Sequence, residues 1–399
     1  MPTHRWRIAA AAIALHLCIG SVYAYSVLVK PLEQLHGWTR SETVLAFSLA
    51  IVFLGLSAAL FGRTVERRGA RWSALAAMTC QVVGLLGTAL GISLGSKPIF
   101  YASYGVIGGI GLGLGYLAPV SLLVRSFPDR RGLATGMAIM GFGLGALVFG
   151  PTMTALFAVT SIPITFLILA GIDLLVMGSA ALAFGANQPA PATSTGVYDA
   201  TPAPQTLRFW YLWLMLFLNV TCGIALISAA APMLQEQVGL TATAATGVVG
   251  LIGLFNGGGR LGWSALSDRI GRPNVWTTFF ILGMLLFLVM SVTTTPWLFQ
   301  AALLLAITCY GGGFACMPSF IADLFGVERL PRIQGLVLTA WSAAGIVGPQ
   351  TAAKLHQSTG SYAASLQIFA GLLAIGLVVV VLLRVKITRR ATASAIAAV

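Results

Sequence analysis

Long uninterrupted apolar runs alternate with short basic clusters along the whole chain. Windows of mostly apolar residues long enough to cross a bilayer as a helix, about 20 residues each, fall at 6–29, 43–61, 73–94, 98–124, 132–157, 162–185, 209–235, 243–265, 275–293, 297–322, 333–353 and 363–384. The runs are continuous and lack a period of two, which predicts helices and not a β-barrel. The segment 186–208, rich in Pro, Ala, Thr and Ser, has no apolar period and reads as a linker. The expected architecture is an all-α polytopic membrane protein. Twelve transmembrane helices form two parallel six-helix repeats: an N-terminal bundle 1–185, a cytoplasmic linker 186–208 and a C-terminal bundle 209–399.

Composition sharpens this. Of 399 residues, 58% are hydrophobic and 8% charged, against roughly 25% charged in a soluble domain, so a single soluble core is excluded. The net charge of +13 does not point to nucleic acid, because that needs basic residues gathered on one solvated surface. With the N-terminus placed in the cytoplasm, only Lys30, Arg40, Lys97 and Lys354 fall on the far side, and Arg260 falls inside a span. The other Lys and Arg residues are cytoplasmic, so both termini are expected inside. The five cysteines lie in apolar runs without metal-ligand spacing. The first run continues into Lys30 and Pro31 without a cleavage site and reads as a retained span.

The halves repeat. Gly-Arg-Thr-Val-Glu-Arg-Arg-Gly-Ala-Arg (62–71) follows span two, and Ser-Ala-Leu-Ser-Asp-Arg-Ile-Gly-Arg-Pro (264–273) follows span eight, with Glu66 and Gly69 matching Asp268 and Gly271. Spans four and ten each carry a Gly-rich run, a proline (Pro119, Pro318) and a charged loop. The two loops resemble the signature of the major facilitator superfamily. The resemblance implies a conformational latch built from Glu66, Arg67, Gly69, Asp268, Arg269 and Gly271. Physically, the acid can meet a helix N-terminus and an arginine, and the glycine permits the tight turn. Asp323, beside Glu328, Arg329 and Arg332, reads as a further latch residue.

A finer resemblance rests on Gly20-Ser-Val-Tyr23-Ala-Tyr25-Ser-Val-Leu28-Val-Lys30-Pro31, on Gly37-Trp38-Thr-Arg40, and on Gly113-Leu-Gly115-Tyr116-Leu-Ala-Pro119 with Phe127-Pro128-Asp129-Arg130-Arg131-Gly132. These segments are similar to the oxalate/formate antiporter branch and the bacterial monocarboxylate transporters. That resemblance implies a secondary transporter of a small monocarboxylate of the lactate or pyruvate type, coupled to a proton, with organic-anion exchange as the alternative. It also implies residence in a bacterial inner membrane, as a monomer in the lipid bilayer.

An ionisable residue deep in a span is costly and marks a candidate site. Arg260 is the clearest, with Asn256 four residues earlier on the same helical face. Its planar fork fits a carboxylate. In the related transporters an arginine at this place binds the substrate carboxylate. Relatives that carry oxalate add a lysine on span eleven, where this chain reads Leu338-Thr-Ala-Trp341, so one carboxylate and not two is expected. Animal relatives carry an aspartate and a lysine at places that fall on Asn256 and Tyr23, which removes the usual proton-carrying acid. Tyr116, Tyr25, Leu28, Leu144, Tyr310, Phe314 and Trp341 are expected to complete the site, with the glycines around them leaving room for a ligand or for close helix packing. His16 reads as a packing histidine and Asp173 as a peripheral acid or a partner of Arg260. No Walker loop, nucleophile–base pair or metal constellation occurs, so neither an ATP-driven pump nor an enzyme is expected, and no cofactor.

Overall fold

A computed structural model of the chain describes residues 2–185 and 202–397. Residues 186–201 of the expected linker lie outside the described residues; of the rest, Ala203–Gln205 forms a short turn and Leu207 and Arg208 already belong to the next helix. All regular secondary structure among the described residues is helical. Span one is Pro2–Ile19, a 3₁₀ turn Gly20–Ala24 and Ser26–His36. Spans two and three run as Arg40–Ser93, broken only at Gly69. Span four is Lys97–Phe100, a π-helical stretch Tyr101–Gly108 and Gly109–Ser126. The rest are Arg131–Val159, Ile162–Ala183, Leu207–Glu236, Ala242–Ile270, Arg272–Val292, Pro296–Phe325, Leu330–Thr359 and Ala363–Ala397, spans five to twelve.

Local chemistry sets these boundaries. Thr39 and Glu42 form a reciprocal capping box at the start of span two. Ser161, Thr206 and Thr241 cap spans six, seven and eight through their hydroxyls. The two repeated loops turn alike: Gly69 has φ 82° and Gly271 φ 85°, a backbone region that a side chain disfavours. Spans eight and eleven, of 29 and 30 residues, are long enough to cross, but they fall outside the nine described helices that are also apolar enough by composition. They carry Asn256, Arg260 and Gln334, which are buried against other helices and not set toward lipid.

Large apolar side chains such as Leu90, Leu175, Leu285 and Val378 are exposed around the outside, as lipid contact requires. Inside, glycines bring helices together. Gly109 and Gly113 of span four abut Ala50 and Leu54 of span two, and Gly111 abuts Ala77 of span three. The Gly-rich run of span four is therefore packing, and not room for a ligand.

Charged side chains mark two ends. At the basic end Arg5 meets Asp129 at 3.2 Å. At the opposite end Glu42 meets Lys97, and Glu236 meets His356 at 3.3 Å. Spans of the two halves pack tightly near the basic end: a Cβ at Gly335 would strike the Ala58 backbone, and one at Gly132 the Ser264 carbonyl. Beyond the Leu144–Gly257 contact, Gly253, Gly250 and Gly247 have nothing within 4 Å, while Leu147 and Val148 are exposed. Spans five and eight thus part toward the opposite end.

Candidate functional site

Arg260 lies in span eight, fully buried. Its Nε donates to Asn256 Oδ1 at 3.2 Å, one turn earlier, and its Nη1 donates to the Ile139 carbonyl of span five at 3.1 Å. Its Nη2 has no partner among the described residues. The guanidinium stands over the rings of Phe142 and Phe314, 5.8 and 5.2 Å from their centroids. Two glycines make the space: a Cβ at Gly143 would stand 3.0 Å from Arg260 Nε, and one at Gly311 would stand 2.6 Å from Asn256 Oδ1. The partners of this buried guanidinium among the described residues are two oxygens that carry no charge and two rings, with no carboxylate. Such a charge is costly unless an anion joins it.

Around it stands an aromatic group. Trp341 of span eleven packs on Phe314 of span ten (4.7 Å), Phe142 (5.7 Å), Tyr116 of span four (6.1 Å) and Tyr23 of span one (6.4 Å). Tyr310 packs on Phe314 and over Gly223 of span seven. The Tyr23 hydroxyl lies beside Arg260 and Tyr310. The hydroxyls of Tyr23 and Tyr116, the Trp341 Nε1, the Arg260 Nη2 and the His16 Nε2 are all buried and all unpartnered among the described residues. Buried polar atoms are normally satisfied. Three donors around one cation, with the cation's own Nη2, are an arrangement chemically able to hold an anion with further acceptor atoms.

The structure brings together Arg260, Asn256, Tyr116, Tyr310, Phe314 and Trp341, and seats Leu144 on Gly257 next to them. Leu28 is buried farther along span one. Tyr25 is a correction: its hydroxyl donates to the Thr43 carbonyl and its ring packs on Phe47 and Tyr104, within its own half. Tyr23 faces the arginine instead. The two tyrosines are two residues apart, so on a helical turn they point to opposite sides. Glycines 257 and 259 are likewise packing positions, against Leu144 and Thr308, while Gly258 meets nothing within 4 Å. Asp173 is buried beside Cys18 and does not partner Arg260. Phe142, the Ile139 carbonyl and His16 were not legible as site members. The spacing of His16 and Tyr23, seven residues on one helical face, was the available signal.

The charged groups of the basic end pair differently from the expected latch residues. Asp268 accepts from the amides of Gly132 and Leu133 at the N-terminus of span five (2.8 and 2.9 Å) and pairs with Arg272 at 2.6 Å. Asp323 joins Arg272 (3.2 Å) and Arg131 (3.3 Å). Glu66 is half-buried near Arg332, Arg125 and Arg329. Arg67 and Arg269 are exposed and take no part; Arg131 and Arg272 supply the positive charge. The N-terminal and C-terminal copies of one motif thus do unequal work.

The chain matches the Major Facilitator Superfamily over residues 11–349 and, in a second match, 212–397. It belongs to that superfamily. It is 28% identical to the oxalate:formate antiporter of Oxalobacter formigenes over 366 residues, covering 90% of this chain and 86% of that one. It is 26% identical to human monocarboxylate transporter 11, covering 93% and 81%. Its fold matches a crystal structure of the superfamily transporter FucP in the outward conformation with a TM-score of 0.76, at 16% identity, over 94% of this chain and 98% of that one. The described helices are those of the superfamily's fold.

Proposed function

We propose that this superfamily member carries a small monocarboxylate of the lactate or pyruvate type together with a proton, by alternating access between two six-helix halves, 1–185 and 209–399. The observation that carries the reading is Arg260: a buried cation that, among the described residues, has no partner for its Nη2 and no carboxylate among its hydrogen-bond partners. The substrate carboxylate takes that charge. Asn256 holds the guanidinium in place, and Tyr116, Tyr23 and Trp341 offer donors to the substrate's remaining oxygen. Phe142, Phe314, Tyr310 and Leu144 wall its short carbon chain. The basic end faces the cytoplasm of a bacterium, which makes the described state one closed toward the cytoplasm. The protein works as a monomer in the inner membrane.

Uptake of labelled lactate into proteoliposomes containing the pure chain tests this. Accumulation driven by an inward proton gradient supports symport. Exchange without gradient-driven accumulation supports the second reading, an organic-anion exchanger, which the similarity to an oxalate:formate antiporter favours.

Valence gives a separate prediction. Span eleven, where oxalate-carrying relatives place a second cation, has no basic residue between Arg332 and Lys354, so a dianion would leave one carboxylate uncompensated at a cost of several kcal/mol. Unlabelled lactate and pyruvate are expected to compete strongly at neutral pH, and oxalate and malonate weakly. Strong inhibition by oxalate would show that a second positive group reaches the site.

A further inference from the structure

His16 belongs to no expected part of the site, yet it is fully buried within it. Its Nδ1 is 3.2 Å from the Ala12 carbonyl. A carbonyl only accepts, so Nδ1 carries the ring proton of the neutral imidazole, and Nε2 is left as a bare lone pair. That lone pair has no partner among the described residues. The ring meets Tyr116 edge-on at 5.4 Å and Phe142 at 6.4 Å. The groups packed against it are few. Span four presents Tyr116, span five presents Gly141 and Phe142, span eight presents the charge of Arg260, and its own span carries Tyr23 one face-repeat on. Asp173 of span six faces Cys18 instead.

We propose that His16 Nε2 is the proton-binding site that couples proton and anion movement, in place of the carboxylate that Asn256 replaces. The proposal rests on the monocarboxylate–proton reading above. Its physics is charge balance. With the anion absent, a proton on His16 would set an imidazolium near an uncompensated guanidinium in a poorly solvated interior, which is strongly disfavoured. With a carboxylate on Arg260 the repulsion is cancelled, and the proton is admitted. Linkage makes this reciprocal: each ligand strengthens binding of the other. One proton comes from water on one side, adds to the Nε2 lone pair, and leaves to water on the other side, with no bond otherwise made or broken. The site carries one positive charge when empty and the same when holding anion and proton. An anion alone still binds, so exchange does not require His16 to change charge.

The test compares gradient-driven lactate accumulation with lactate counterflow at equal pH, in wild type and His16→Gln proteoliposomes. The ratio of accumulation to exchange is expected to fall about tenfold in the variant, the scale of a site–site coupling. Calorimetry of lactate binding to the detergent-solubilised wild type, in buffers of different ionisation enthalpy, is expected to show proton uptake on binding, and this needs no variant. Asp173→Asn is expected to keep the wild-type ratio. If wild type exchanges lactate but never accumulates it, the symport reading falls and takes this assignment with it. If wild type accumulates and His16→Gln keeps its ratio, or if binding takes up no proton, this assignment alone is overturned.

Discussion

Arg260→Gln is expected to weaken lactate binding roughly ten- to hundredfold and to reduce uptake to near background. A charge-assisted hydrogen bond supplies about 1.5–3 kcal/mol, and each 1.4 kcal/mol is about a factor of ten in affinity. The geometry says why this residue carries so much. The guanidinium is fully buried, holds Asn256 and Ile139 with two of its nitrogens, and keeps the third unpaired. Glutamine keeps a donor but removes the charge, so the aromatic group around it has nothing to neutralise an anion. Folding is expected to survive, because the variant removes an uncompensated buried charge and leaves no new one. A thermal unfolding scan of the detergent-solubilised variant within a few degrees of wild type checks that. Arg260→Lys is expected to recover only part of the affinity, since an ammonium cannot make two parallel bonds to a carboxylate. Near-normal uptake by Arg260→Gln would remove Arg260 from the site.

Asp268→Asn is expected to open the basic end. In the described state the carboxylate takes two amide protons at the start of span five and one ion pair from Arg272, which itself reaches Asp323. Gly132 and Leu133 lie in the other half of the chain from Asp268, so these bonds can exist only while the halves meet there. An asparagine keeps the shape but loses the charge at a helix N-terminus, worth about 0.3–1 kcal/mol and up to about 2 when partly buried, and it loses the ion pair as well. A shift of about 2–3 kcal/mol changes the ratio of the two states by roughly thirty- to over a hundredfold. Spin labels at Arg67 and Arg269, both exposed and outside the latch, would report it as a longer distance across the basic end in a background without native cysteines. Glu66→Gln is expected to shift that distance less, because Glu66 makes no bond to a helix N-terminus and its Oε2 is unpartnered among the described residues. An unchanged distance in Asp268→Asn would show that glycine-mediated helix packing alone closes this end.

Much of this molecule is written in its hydrophobic pattern. Each of the twelve apolar windows became a helix, because a backbone in hydrocarbon must satisfy its own polar groups and each window is long enough to do so. The repeated loops were legible for the same kind of local reason: Gly69 and Gly271 sit where the turn needs a positive φ. Arg260 stood out because a cation deep in an apolar run has no cheap explanation.

The sequence by itself determined the spans, the repeated loops and a cation buried deep inside a span. What it left open depends on rotation and partners, which no single helix contains. Whether Tyr23 or Tyr25 faces the arginine was settled by the turn Gly20–Ala24 and by the Thr43 carbonyl on span two. Whether the glycines of span four hold a ligand or a neighbour was settled by Ala50, Leu54 and Ala77 lying against them. Arg272 and Arg131 are paired at the basic end, and Arg67 and Arg269 are exposed, because Asp323, which both of the former meet, is brought there from span ten. His16 changed most. Its neighbours in sequence are apolar, but folding sets its bare nitrogen in a donor-rich group beside Arg260, since helices one, four, five and eight converge there. A periodic pattern fixes which residues leave the lipid; only the packing of helices fixes which of them meet.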